Sequence, residues 1–256
     1  MNLTKRNYFT CKASREFMSV SQFKAFERCQ TAALAEIKGR YKQEKTTALL
    51  IGSYIDSYFE GSMRAFKNHN PEIFKKDGTL KSEYIQADAI IGRIERDKLF
   101  MEYMSGKKQV IMTGTINGVQ VKIKIDSLLP DKIVDLKIMR SFEDIYVSEK
   151  GRLPWFEAWE YDLQGAVYQE IVRQNTGKRL PFYLAAATKE KVTDLDVIHI
   201  LQETLDFSLS RFKSDVEMYD AIKKGVIEPE RCEKCDYCKE TKILTQPTES
   251  NEFYLF

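Results

Sequence analysis

An Asn-Gly pair at positions 117 and 118, followed by eight residues that alternate apolar and polar, constrains this chain more than any other stretch. Val119, Val121, Ile123 and Ile125 would share one face of a strand, and Gln120, Lys122, Lys124 and Asp126 the other, because side chains alternate with period 2. Asn-Gly is the strongest short hairpin signal, since both turn positions need positive φ. The β-prone run 109–116 is therefore predicted to pair back on 119–126. Pro130-Asp131 supplies a second turn, and Ile133-Val134-Asp135-Leu136-Lys137-Ile138 a third strand. A three-stranded antiparallel meander follows.

Helical spacing dominates on either side. Ser19-Val20-Ser21 is a credible N-cap before Phe23, Phe26, Ala33, Leu34 and Ile37, which predicts one helix through Ile37. A second is predicted from about Thr46 through Ile51, Ile55 and Phe59, and a third over 82–104. After a loop with Gly151 and Pro154, a helix covers 156–174 and ends at Asn175-Thr176-Gly177. Strands follow at 181–187 and 197–201, then an amphipathic helix over 203–224. The expected organisation is a single domain over 1–256. Its helical part spans 19–105, its core 106–201, and a C-terminal helix with a cysteine cluster 202–240.

With 40 basic and 38 acidic residues the net charge is only +2, so a polyanion would be bound by cations gathered on one face or in a channel. Lys122, Lys124 and Arg140 lie near the meander's acids in sequence. Two histidines leave little room for imidazole catalysis. No apolar run reaches the ~18 residues that span a bilayer, and the N-terminus lacks a signal-peptide pattern, so a cytoplasmic location without membrane association is expected. Three of five cysteines, Cys232, Cys235 and Cys238, fall close together, which reads as metal ligation rather than a disulfide framework.

A two-residue turn at Pro130-Asp131 would set Asp126 directly opposite Asp135, with Lys137 facing Lys124 on the same side. Opposed side chains stand about 5 Å apart at Cβ, and like charges there are destabilising. A divalent cation shared by both carboxylates compensates, and hard oxygen ligands suit Mg²⁺ or Mn²⁺. With Lys137 beside it, the arrangement is what phosphodiester hydrolysis requires. On spacing alone, an exposed strand face neutralised by Lys124 and Lys137 explains the same residues.

Asp126, followed by Asp135-Leu136-Lys137, resembles the signature of the PD-(D/E)xK nuclease superfamily, an acid and then Asp/Glu-x-Lys on the adjoining strand. Gln164-Gly165-Ala166-Val167-Tyr168 is similar to the Q-x-x-x-Y motif of its RecB-like and RecE-like branch. The stretch 52–60 resembles the helix that supplies a further metal ligand there; many members carry His where this chain has Asp56, and Glu60 is a secondary candidate. Cys29 with Cys232, Cys235 and Cys238 resembles the four-cysteine set that holds an iron–sulfur cluster in several members. The C-x2-C-x2-C spacing departs from their C-x2-C-x5-C and leaves [4Fe-4S], Zn²⁺ or free thiols open. Cys11 is assigned nothing.

The resemblance covers about 19–240. It implies an α/β (α+β) fold with a restriction-endonuclease-like αβββαβ core, a mixed central sheet and flanking helices. It implies a Mg²⁺-dependent exonuclease on linear double-stranded DNA, with 5′→3′ polarity, of phage or prophage recombination type. Asp126, Asp135, the Leu136 carbonyl and Asp56 would hold the metal. Lys137 would act as general base or orient water, and Gln164 and Tyr168 would support substrate placement. A homo-oligomeric ring and a single-strand annealing protein are the implied partners. Alternatives are an endonuclease or single-strand exonuclease of the same fold, or a non-catalytic nucleic-acid-binding protein with a degenerate core.

Overall fold

The computed structural model describes residues 1–42 and 46–247. Asn117 and Gly118 both take positive φ (45° and 75°), and Ile116 pairs with Val119 across them, the turn that this dipeptide favours. The hairpin joins β1 (Lys107–Ile116) to β2 (Val119–Leu128). The second turn also forms at Pro130-Asp131, closed by Leu129 N–H donating to the Lys132 carbonyl (3.0 Å), and leads into β3 (Ile133–Met139). After a crossover, β6 (Phe182–Thr188) lies parallel to β3, and β7 (Leu195–Ile200) returns antiparallel, giving one sheet in the order β1-β2-β3-β6-β7. The stretch 140–154, expected as loop, holds a small separate hairpin of β4 (Ile145–Val147) and β5 (Gly151–Leu153).

Before the sheet come α1 (Cys11–Glu16), α2 (Val20–Arg28), α3 (Gln30–Ile37), α4 (Thr47–Phe59), α5 (Met63–His69), α6 (Ser82–Glu95) and α7 (Lys98–Tyr103). The crossover carries α8 (Trp155–Ala158) and α9 (Tyr161–Thr176), and α10 (Gln202–Lys223) and α11 (Asp236–Glu240) follow the last strand. Two apolar cores sandwich the sheet. One gathers Phe23, Phe26, Leu163, Val167, Ile171, Phe212 and Val216 from α2, α9 and α10 against Ile133 and Leu184. The other packs Tyr54, Ile55, Ile90, Ile94 and Phe100 from α4, α6 and α7 against Val134, Leu136 and Ala185. Each fully buried large side chain contributes about 1.5–3 kcal/mol. The mixed α/β fold, with three strands, a helix and a further strand at its centre, is the one expected.

Three predicted helices are each split in two. The capping box at Ser19 and Gln22 forms, but the helix stops at Cys29, whose backbone is extended (φ −166°, ψ 108°). The helix over 82–104 breaks at Arg96-Asp97 because the Asp97 carboxylate starts a new one, accepting from Phe100 N–H (3.0 Å). The helix over 156–174 begins again after Glu160, which sits in the left-handed region (φ 54°). Periodicity survives such breaks, so it did not reveal them. No helix among the described residues is long and apolar enough to cross a membrane.

Candidate active site

β2 and β3 pair at Leu128↔Ile133 and Ser127↔Val134 in the expected register, and there the ladder stops. The next rung would be Asp126 opposite Asp135. Instead the strands part and the two acids flank a fork, so Lys124 and Lys137 do not face each other across a rung as predicted. The Leu136 N–H donates to Asp126 Oδ2 (3.0 Å), the side chain taking a donor that a β2 carbonyl would otherwise use. The other flank of β2 is broken at the same level. Lys108↔Ser127 and Val110↔Ile125 are paired, while Gln109 between them turns left-handed (φ 53°) and its Nε2 donates to Asp126 Oδ1 (3.2 Å).

Asp135 is 2% exposed. Gln164 Nε2, on α9, donates to its Oδ1 (2.7 Å), and the Lys137 ammonium forms an ion pair with its Oδ2. Lys137 also lies over the Tyr161 ring, 4.5 Å from the centroid. Tyr168, one turn after Gln164, is buried and donates to the Lys124 carbonyl (2.9 Å), tying α9 to β2. Of Leu136, the structure engages the N–H at Asp126, and its side chain is in the α4–α6–α7 core. Asp56 reaches the same neighbourhood from α4, half-buried and within the fields of Lys137, Asp135 and Lys124. Glu60, one turn later, hydrogen-bonds to Ser62.

The electrostatics are those of crowded anions. Burial, then Asp135 and Asp56, raise the Asp126 carboxyl well above the ordinary carboxylate range. Burial raises Asp56 to about 6, against the opposing pull of Lys137. Burial alone would lower the Lys137 pKa, but Asp135, Tyr161 and Asp126 outweigh it and hold the group as an ammonium. Three carboxylates facing one lysine fit a divalent cation, whose charge relieves their mutual repulsion. The set is looser than a finished ligand shell. Among the described residues, only the four thiols have all their ligand atoms within 4.8 Å of one another.

Those thiols bring together chain segments two hundred residues apart. Cys29, in the break between α2 and α3, lies 3.6 Å from Cys238 at sulfur, and Cys232 is 4.0 Å from Cys238. Backbone N–H groups of Cys235 and Cys238 donate to the sulfurs of Cys232 (3.3 Å) and Cys235 (3.4 Å). Those from Lys234 and Cys235 pull the Cys232 thiol down to about 6, whereas burial pushes Cys235 up to about 12. Four sulfurs this close ionise together only around a cation, so the donor set fits a thiophilic metal.

Sequence reasoning missed Gln109, Tyr161 and Lys24. Gln109 reads as an ordinary strand residue, and only its left-handed backbone turns its amide to Asp126. Lys24, on α2, donates to the Trp159 carbonyl (2.7 Å) and lies 5.3 Å from the centroid of the Tyr161 ring, which it shares with Lys137. Helical spacing places it only on the polar face of α2.

A mixed sheet whose central fork carries Asp126, Asp135 and Lys137, backed by a helix bearing Gln164 and Tyr168, defines a nuclease-type core of the PD-(D/E)xK class. Residues 19–241 match the family described as a PDDEXK-like domain of unknown function (DUF3799), and the chain belongs to it. A crystal structure of a "Putative exonuclease" from Eubacterium rectale is similar at 46% identity, with a TM-score of 0.96, covering 100% of this chain and 99% of that one. No curated protein matches the chain. Family and neighbour together support a nuclease.

Proposed function

We propose that the chain is a Mg²⁺- or Mn²⁺-dependent exodeoxyribonuclease that degrades linear double-stranded DNA from its 5′ ends. The observation that carries this reading is the fork between β2 and β3, where Asp126 holds the Leu136 N–H and Asp135 is paired with the Lys137 ammonium, with Asp56 close enough for its charge to be felt there. Asp126, Asp135, Asp56 and the Leu136 carbonyl would hold the cation, which when bound polarises a phosphoryl oxygen and acidifies a water. Gln164 fixes the rotamer of Asp135, and Tyr168 holds α9 against β2. Lys137, held as an ammonium, orients the attacking water or stabilises charge on the phosphate; this fits its surroundings better than general-base action. The exonuclease description of the similar crystal structure supports exonucleolytic action. A homo-oligomeric ring working with a single-strand annealing protein in phage-type recombination completes the proposal, a ring being a way for a chain of net charge +2 to gather its cations on DNA.

Digestion of linear duplex labelled at either the 5′ or the 3′ end, beside closed circular duplex, tests this with Mg²⁺ present. Early release of the 5′ label and intact circles are expected, and Asp135→Ala should abolish release while keeping the far-ultraviolet spectrum. Nicked or cut circles would favour an endonuclease, and binding without any digestion a non-catalytic role.

For the four cysteines, two observations point to different occupants. Sulfur separations of 3.6 and 4.0 Å suit one tetrahedral ion with bonds of about 2.3 Å. The C-x2-C-x2-C spacing is that of bacterial [4Fe–4S] proteins. An absorption spectrum of anaerobically purified protein separates them, since only the cluster is brown.

A further inference from the structure

Gln164 and Tyr168 wall a second space besides the fork. On the side facing α2 they line a hollow of about 160 Å³ together with Lys24, Ser21, Tyr8 and Lys122. Tyr8, Ser19, Ser21 and Lys122 also belong to the wall of a larger hollow of about 560 Å³, which runs on to Arg28, Tyr41 and Lys42. The two hollows therefore adjoin across Tyr8, Ser19, Ser21 and Lys122, the smaller against the catalytic helix and the larger further along α2.

We propose that these adjoining hollows form a track for single-stranded DNA that leads to the active site past Gln164 and Tyr168; the proposal rests on the nuclease reading and names how an unpaired strand is held. The lining combines cations with rings. Lys24, Lys122, Arg28 and Lys42 stand among Tyr8, Phe9 and Tyr41, and Glu36 is the one acid among the described residues of the lining. Lys122 is 3% exposed, yet among the described residues its ammonium donates only to the Tyr8 carbonyl (2.7 Å) and lies over the Tyr8 ring (4.6 Å). Among the described residues, no carboxylate lies within 4.0 Å of Lys24, Lys122 or Arg28. Of the three only Lys122 is buried, and a buried cation with no carboxylate beside it is unfavourable until an anion arrives; a phosphodiester backbone supplies one per nucleotide. Phe9 is 75% exposed, an aromatic surface on which a base can stack. The larger volume is that of a small-ligand pocket, about 300–1,000 Å³, so unpaired nucleotides fit and a duplex does not.

Fluorescence anisotropy of a labelled oligothymidylate without terminal phosphates, read in EDTA so that nothing is cut, tests the track. The double variant Arg28→Glu/Lys42→Glu should weaken binding at least tenfold and flatten its salt dependence, by about 0.7 for each phosphate no longer neutralised. Phe9→Ala, at an exposed position, should weaken it about fivefold or more with the far-ultraviolet spectrum unchanged. Lys191→Glu, on the β6–β7 turn, controls for charge and should stay within twofold. If both Phe9→Ala and the double variant bind within twofold of wild type, the track is wrong. If wild type instead never digests DNA with Mg²⁺, the nuclease reading falls, while a binding loss in these variants still supports the track.

Discussion

Asp126 accepts hydrogen bonds at both oxygens, from Gln109 and from the Leu136 N–H, yet its carboxyl titrates well above the ordinary range because burial and two neighbouring acids outweigh those donors. The consequence for stability has a definite sign. A carboxyl whose folded pKa is raised gives a contribution that is complete below the unfolded value of about 4 and is lost as pH rises through the folded value. For Asp56 that window closes near 6, and for Asp126 it extends higher. Metal-free protein should therefore lose stability as pH is raised from 4 towards 7 at these positions. Asp126→Asn removes the buried charge, and the Gln109 Oε1, buried without a partner among the described residues, can accept from the new amide. That variant should gain about 1 kcal/mol at pH 7.5 in EDTA, a rise of about 2–4 °C in melting temperature, while losing digestion. Mg²⁺ should raise the melting temperature of wild type and not of the variant. Equal shifts in both would place the cation elsewhere. Gln164→Ala acts one step back: freeing Asp135 should reduce activity about 10–100-fold and raise the Mg²⁺ concentration needed for half-maximal rate. An unchanged Mg²⁺ requirement would remove Gln164 from the positioning of Asp135.

α9 is the element that brings the site together, and its seat on the sheet depends on one missing side chain. A Cβ at Gly165 would lie 2.7 Å from Phe182 Cε1, and Gly165 is flanked by Gln164. Gly165→Ala should therefore destabilise by about 1–3 kcal/mol and shift Gln164 away from Asp135. Calorimetry and the Mg²⁺ dependence of digestion, measured together, check it; a variant as stable and as active as wild type would show that α9 has slack. The start of α9 is fixed from α10, where Arg211 donates to Glu160 Oε1 (2.6 Å) beside Glu27. Nothing local announces that clamp, since Arg211 and Glu160 are fifty residues apart. The strands were legible because Asn117-Gly118 and Pro130-Asp131 set register through local turn chemistry. The acid pair and Asp135-Leu136-Lys137 could be read from that register. The fork was not legible, because it comes from Gln109 and Asp126 exchanging ladder bonds for side-chain bonds, a choice made only when three strands are present. The break at Cys29 was hidden for a related reason. Phe23, Phe26, Leu34 and Ile37 keep helical spacing on both sides of one extended residue, and the sulfur that this residue meets belongs to a segment two hundred positions away.

At the scale of the molecule, those sulfurs join α2 to the segment after α10, and the two helices are already packed through Phe23 on Phe212 (ring centroids 4.5 Å apart) and Phe26 on Tyr219 (5.2 Å). α2 also presents Ser21 and Lys24 to the hollow beside Gln164. A metal on the four thiolates would therefore fix not only the chain ends but the wall of the path leading to the fork. Binding energy of this kind is folding energy, because the ligands meet only in the folded chain. Cys238→Ser leaves three sulfurs around a position that is fully buried, and it should lower the melting temperature by several degrees, at about 2–4 °C per kcal/mol. The same variant should lose the metal measured by elemental analysis of the purified protein and weaken oligothymidylate binding, because α2 loses its C-terminal anchor. Single-strand affinity that survives metal loss unchanged would separate the staple from the track. Protein that carries no metal when purified anaerobically, and melts at the same temperature with or without Cys238, would leave the four thiols as a packing feature alone.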